Sequence, residues 1–146
     1  MSGRSIPRTT PKAASRSTLL YLEADADSVA LAGALIAGRT DMALLHATDL
    51  ELLIKLARRQ RPDVLLINAD LADLPPRDLV KRLRAEPALR EAPILSLGAE
   101  AAPAAITQSL EAGVFACLVK PLQADALKES LDFALEFLAA ERAEQL

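Results

Sequence analysis

Five short apolar runs, each followed by a stretch of helical spacing, restrict the fold of this chain more than any other feature. The runs fall at residues 18–22, 42–46, 64–68, 94–97 and 114–119. They are apolar on successive residues instead of every second one, so strands formed there need cover on both faces. That is the condition of a parallel sheet lying between two helical layers.

The intervening segments supply the helices. The first uses Leu31 and Leu35 and stops near Gly38. The second is expected to start at Thr48, with Glu51 completing a capping box. Its apolar stripe is Leu50, Leu53, Ile54 and Ala57, spaced as one helix face. The third follows Pro75-Pro76, buries Leu79 and Leu83, and ends before Pro87. The fourth opens at Pro103, buries Ile106 and Leu110, and closes at Gly113. The fifth runs from about Ala124 into the 140s with Leu127, Leu131, Leu135 and Leu138 on one face. This order predicts a doubly wound α/β domain of the flavodoxin-like (βα)5 kind. Its sheet is five-stranded and parallel, in the order 2-1-3-4-5. The expected division is a disordered basic tail over 1–17, one domain over 18–142, and the C-terminal end of helix five over 143–146.

Composition narrows the function classes. With 51% hydrophobic residues the chain can bury a core, and four aromatics (Tyr21, Phe115, Phe133, Phe137) leave aliphatic side chains to fill it. No apolar run reaches the length of a membrane span. Residues 1–17 hold four basic residues, no acid and no apolar segment of the secretory type. The rest carries 13 basic and 20 acidic side chains, a balance that opposes nucleic-acid binding. One cysteine, Cys117, excludes an intrachain disulfide and suits a reducing cytoplasm. One Cys and one His make a zinc site improbable.

The chain resembles the CheY-like receiver domains of bacterial two-component response regulators over residues 18–140. The resemblance rests on Leu20-Tyr21-Leu22-Glu23, on 61–68 (Arg-Pro-Asp-Val-Leu-Leu-Ile-Asn), on 79–85 (Leu-Val-Lys-Arg-Leu-Arg-Ala), on 92–97 (Ala-Pro-Ile-Leu-Ser-Leu), and most strongly on 113–122 (Gly-Val-Phe-Ala-Cys-Leu-Val-Lys-Pro-Leu). It implies a site at the carboxyl ends of the strands. There, two acids after strand one hold Mg²⁺ and an aspartate ending strand three accepts a phosphoryl group. A hydroxyl residue after strand four reports the event, and a Lys-Pro pair after strand five contacts the phosphoryl oxygens.

Against that pattern, this chain reads Glu23-Ala24 for the acidic pair, Asn68 for the acceptor and Gly98 for the hydroxyl. Cys117 stands where an aromatic is usual, and only Glu23 and Lys120-Pro121 match. Glu23 and Lys120 sum to zero charge, so a divalent cation gains little from the expected shell. Phosphoryl transfer, which relies on positioning and charge stabilisation, loses its parts together. The expectation is an ion pair between Lys120 and Glu23, with the Asn68 oxygen nearby, no catalytic residue, no metal and no cofactor.

The resulting reading is an atypical pseudo-receiver acting in the cytoplasm through protein–protein contact. Its partner would be a histidine kinase, another regulator or an output protein. Two alternatives stay open: a phosphorylatable regulator using Asp70 or Asp25, and a small-ligand sensor. Asp25 is expected to cap helix one, and Asp70 to lie in a loop past strand three. His46 reads as a surface residue and Cys117 as a small buried hydrophobe. Phe133 and Phe137 form a second stripe on helix five. With Cys117 and the alanine-rich helix four they make a candidate interface, including one for a homodimer across helix four, strand five and helix five.

Overall fold

The computed structural model describes residues 16–99 and 101–145. Its strands are β1 (Ser17–Leu22), β2 (Met42–Ala47), β3 (Val64–Asn68), β4 (Ile94–Gly98) and β5 (Ala116–Val119). The helices between them are α1 (Ala26–Ala37), α2 (Leu50–Gln60), α3 (Pro76–Arg84), α4 (Pro103–Ala112) and α5 (Ala124–Glu144). A one-turn helix (Ala69–Ala72) follows β3 and a 3-10 turn (Pro87–Leu89) precedes β4. The sheet order is β2-β1-β3-β4-β5 and every pairing is parallel. This is the flavodoxin-like order expected from the βα alternation.

Side-chain alternation divides the core into two layers. Leu20, Leu22, Leu65 and Ile67 point toward Leu53, Ile54, Leu79 and Leu83 of α2 and α3. Leu19, Tyr21, Val64 and Leu66 point toward Ala32 and Ile36 of α1 and toward Leu127, Leu131 and Leu138 of α5. Each fully buried leucine contributes roughly 1.5–3 kcal/mol by leaving water, so the double-sided strands account for the strength of the sheet.

Several local expectations are corrected. Ser17, assigned to the tail by sequence, opens β1, and Arg16 donates to the Met42 carbonyl at 2.9 Å. Residues 1–15 and Leu146, which hold most of the expected tail and the chain's last residue, lie outside the described residues. Helix α2 is capped by Asp49, not Thr48: its carboxylate accepts from the Leu52 amide at 2.8 Å, and Glu51 pairs with Arg82. Helix α1 turns Ala32 and Ile36 to the core and leaves Leu31 exposed. The segment is apolar almost all round, so spacing alone does not choose a face, and the small Ala32 and Gly33 permit close approach to the sheet. Helix α4 buries no residue fully: Ile106 is half-buried and Leu110 exposed, because among the described residues the sheet ends at β5. The expected stop at Gly113 does occur, at φ 113°, and a Cβ there would meet Val80 Cγ1 at 3.2 Å. Only glycine fits both demands.

Candidate functional site

Parallel register brings the strand ends to one edge. Leu22 pairs with Ala47 and Ile67, Asn68 with Leu97, and Gly98 with Val119. Glu23 and Lys120 are the next residues along β1 and β5. Glu23 keeps the parity of Leu19 and Tyr21, Asn68 that of Val64 and Leu66, and Lys120 that of Leu118. Period-two geometry therefore delivers all three to the same side of the sheet, under α1. They line a cleft of about 520 Å³ together with Tyr21, Asp25, Leu31 and Pro121.

Glu23 is 5% exposed and Asn68 8%. A carboxylate so buried requires donors. Glu23 has them: the Tyr21 hydroxyl donates to Oε1 at 3.2 Å, and the Ala24 and Asp25 amides donate to Oε2 at 3.0 and 3.1 Å. The Asn68 Nδ2 donates to both carboxylate oxygens, at 3.0 and 3.1 Å. The other end of the Asn68 amide accepts from Lys120 Nζ at 3.0 Å and from the Asp70 amide at 3.1 Å. Two donors on one side and a carboxylate on the other fix which end of the amide is oxygen. Lys120 completes the chain with a 2.8 Å ion pair to Asp70.

The expected Lys120–Glu23 pair is thus corrected. Among the described residues no ion pair joins them, and Asn68 is interposed as a neutral bridge. The charge count made from sequence also omitted Asp70, the actual counter-ion of Lys120. Asp70 does not lie in an irregular loop. The Asn68 side chain caps a helical turn over Ala69–Ala72, and Asp70 stands in its first turn. Tyr21 is the other member that sequence reasoning passed over. Its signal was available, because it lies two residues before Glu23 and shares its face. Burial, and then the Glu23 charge, push the Tyr21 hydroxyl well above its usual range, so it stays a donor.

The remaining candidates are placed as follows. Asp25 caps α1: its carboxylate accepts from the Ser28 amide and hydroxyl at 2.9 and 2.8 Å, which holds it below the usual carboxylate range. Ala24 contributes only its amide. Gly98 is not forced by packing, since an added Cβ would meet Ala69 Cβ at an ordinary 3.8 Å. The Lys120–Pro121 peptide is cis. His46 is exposed. Cys117 is half-buried under α4 beside the α2–α3 core layer, whereas Phe133 and Phe137 pack on Phe115 with ring centroids 5.2 and 5.4 Å away. Phe115 belongs to the opposite layer from Cys117.

The family's Mg²⁺ is a poor match to this donor set. Mg²⁺ takes near-octahedral oxygen ligands. Both Glu23 oxygens are occupied by N–H and O–H donors, Ala24 offers no side-chain oxygen, and Asn68 turns its NH2 toward Glu23. Among the described residues no three acidic, His or Cys side chains converge as a metal site, and no helix is long and apolar enough to cross a membrane.

Comparison with known proteins places this geometry. The chain is 43% identical over 61 residues to chemotaxis protein CheY-3 of Vibrio cholerae, covering 42% of this chain and 47% of that one. It is 35% identical over 72 residues to chemotaxis protein CheY1 of Helicobacter pylori, covering 49% and 58%. The matched region thus spans about half the length of these curated relatives. The solved structure of the chemotaxis response regulator CheY4 of Vibrio cholerae superposes with a TM-score of 0.71 at 19% identity, over 82% of this chain and 98% of that one, a likeness of fold. Receiver domains are generally non-enzymatic signalling modules that engage kinases and regulators. The response regulator receiver domain model matches residues 20–132, and the chain belongs to that family of signal-transduction domains.

Proposed function

We propose that this chain is an atypical receiver, unable to accept phosphate, that works in the bacterial cytoplasm by binding other signalling proteins. One observation carries the reading: the closed series Tyr21–Glu23–Asn68–Lys120–Asp70, in which an amide holds the acceptor position and saturates the buried Glu23 carboxylate. An amide nitrogen directed at a carboxylate is no nucleophile toward phosphorus, and both Glu23 oxygens already accept from N–H and O–H donors instead of standing free for a divalent cation. The partner would be a histidine kinase, another regulator, an output protein or a second copy. The favoured surface is α5 with β5, where Phe133 and Phe137 are 64% and 43% exposed. Incubation with acetyl phosphate and Mg²⁺, followed by intact-mass measurement, is expected to give no phosphoryl adduct.

One observation favours a second reading, in which Asp70 accepts the phosphoryl group. Its carboxylate lies 2.8 Å from Lys120, is largely exposed, and is approachable from solvent. An adduct that persists in Asp25→Asn but vanishes in Asp70→Asn would replace the first reading with this one. Asp25 is committed to its cap and is the weaker acceptor.

A further inference from the structure

Resting on the reading of α5 as the binding surface, we infer that its partner is a basic amphipathic helix carrying two apolar anchors about one turn apart. Phe133 and Phe137 are four residues apart, so their rings stand one above the other on the exposed side of α5. Both rest on Phe115 at 5.2 and 5.4 Å, which fixes their outer faces before any partner arrives. A groove of about 380 Å³ runs beside Phe133 and is bounded by Ala116, Glu129 and Glu136.

The charges that α5 places on this stripe have one sign. Glu129, Glu136 and Glu144 fall on the Phe133–Phe137 stripe by helical spacing, all are exposed, and none has an ion-pair partner among the described residues. The two cations of α5 lie off the stripe and are engaged. Lys128 pairs with Asp132 at 3.0 Å and Arg142 with Asp63 at 2.8 Å. A second copy docked by a two-fold axis would set glutamates against the same glutamates, which costs rather than gains free energy. A helix with lysine or arginine flanking leucine-like anchors matches both the rings and the rim.

The test uses the full chain and a fluorescent synthetic helix with two leucines four residues apart, flanked by lysines, read by anisotropy. The control peptide has the same composition with the leucines on opposite faces. Saturable binding of the first peptide alone is expected, weakened about tenfold or more by Phe133→Ser and steeply by added salt. Glu129→Lys with Glu136→Lys is expected to abolish it and to admit the acidic counterpart peptide. Equal binding of both peptides, or binding indifferent to Phe133→Ser, overturns the inference. So does a dimer in sedimentation that Phe133→Ser dissolves, although that result leaves the surface itself standing. If Phe133→Ser and Phe137→Ser alter neither peptide binding nor mass, the surface reading falls as well.

Discussion

Replacing Asn68 by aspartate, which restores the family's acceptor residue, should destabilise this protein. In the native site the Asn68 NH2 donates to both oxygens of a carboxylate that is 5% exposed. The substitution exchanges that donor for an anionic oxygen at about the same place. Two like charges about 4 Å apart repel by roughly 4 kcal/mol at an effective dielectric of 20. Lys120, already 3.0 Å from the other amide atom, attracts the new charge, but it is shared with Asp70 and about one-third exposed. That attraction offsets about half of the repulsion. The loss of a hydrogen bond to a charged group contributes about 1.5–3 kcal/mol in part overlap with the repulsion. A net loss of about 3 kcal/mol follows at neutral pH, a large fraction of a domain's stability. Urea denaturation measures it. The deficit should shrink as pH falls, because a proton shared between the two carboxyl groups removes the repulsion and restores a donor. It should also shrink in millimolar Mg²⁺, to which the native protein is expected to be indifferent. An Asn68→Asp variant as stable as the native chain at neutral pH without Mg²⁺ would refute the bridging role assigned to Asn68.

Other expectations are smaller in scale. Arg39 binds both Asp41 and Asp132; it holds the Asp41 carboxyl below the ordinary range, and Lys128, then Arg39, does the same for Asp132. A depressed folded-state pKa gives stability that is present above the unfolded value and lost as pH falls through the folded one. Arg39→Met should therefore flatten the acid limb of the stability curve below about pH 4, by a few tenths of a kcal/mol per pair given their exposure. Burial raises the Cys117 thiol above its ordinary value. Alkylation by iodoacetamide at pH 8 should be several-fold slower than for free cysteine and should reach the free rate in urea. Gly98→Ser should fold normally, since the added Cβ meets only Ala69 at 3.8 Å. A melting temperature lowered by more than a few degrees would show that the β4 edge is tighter than this distance implies.

The architecture was legible because the strands are apolar on successive residues. Val64, Leu65, Leu66 and Ile67 can only be satisfied by helices above and below, and right-handed crossovers leave few orders for five such strands. Helix faces were legible where polar residues framed them, as with Leu53, Ile54 and Ala57 in α2. They were not legible in α1, where Val29, Leu31, Leu35 and Ile36 surround the axis and packing of the small Ala32 decides the rotation. Nor could spacing show that α4 lies at the open edge of the sheet, where Leu110 stays exposed.

The site was legible in its members but not in its connections. Reading charges alone predicts that Lys120 seeks Glu23, because each lacks another obvious partner in the family pattern. What charge counting omits is the amide between them. Asn68 has a donor and an acceptor end, so it satisfies an anion and a cation at once without moving either into contact. Its oxygen also caps the turn that carries Asp70, and so delivers the counter-ion that Lys120 pairs with. An aspartate at the same position accepts only. It would have to leave Glu23 facing it unpaired or gather cations from solvent, which is what a metal-dependent site does. The exchange of one oxygen for nitrogen therefore removes what the cleft lacks: a site that needs an external cation becomes one whose polar groups satisfy each other.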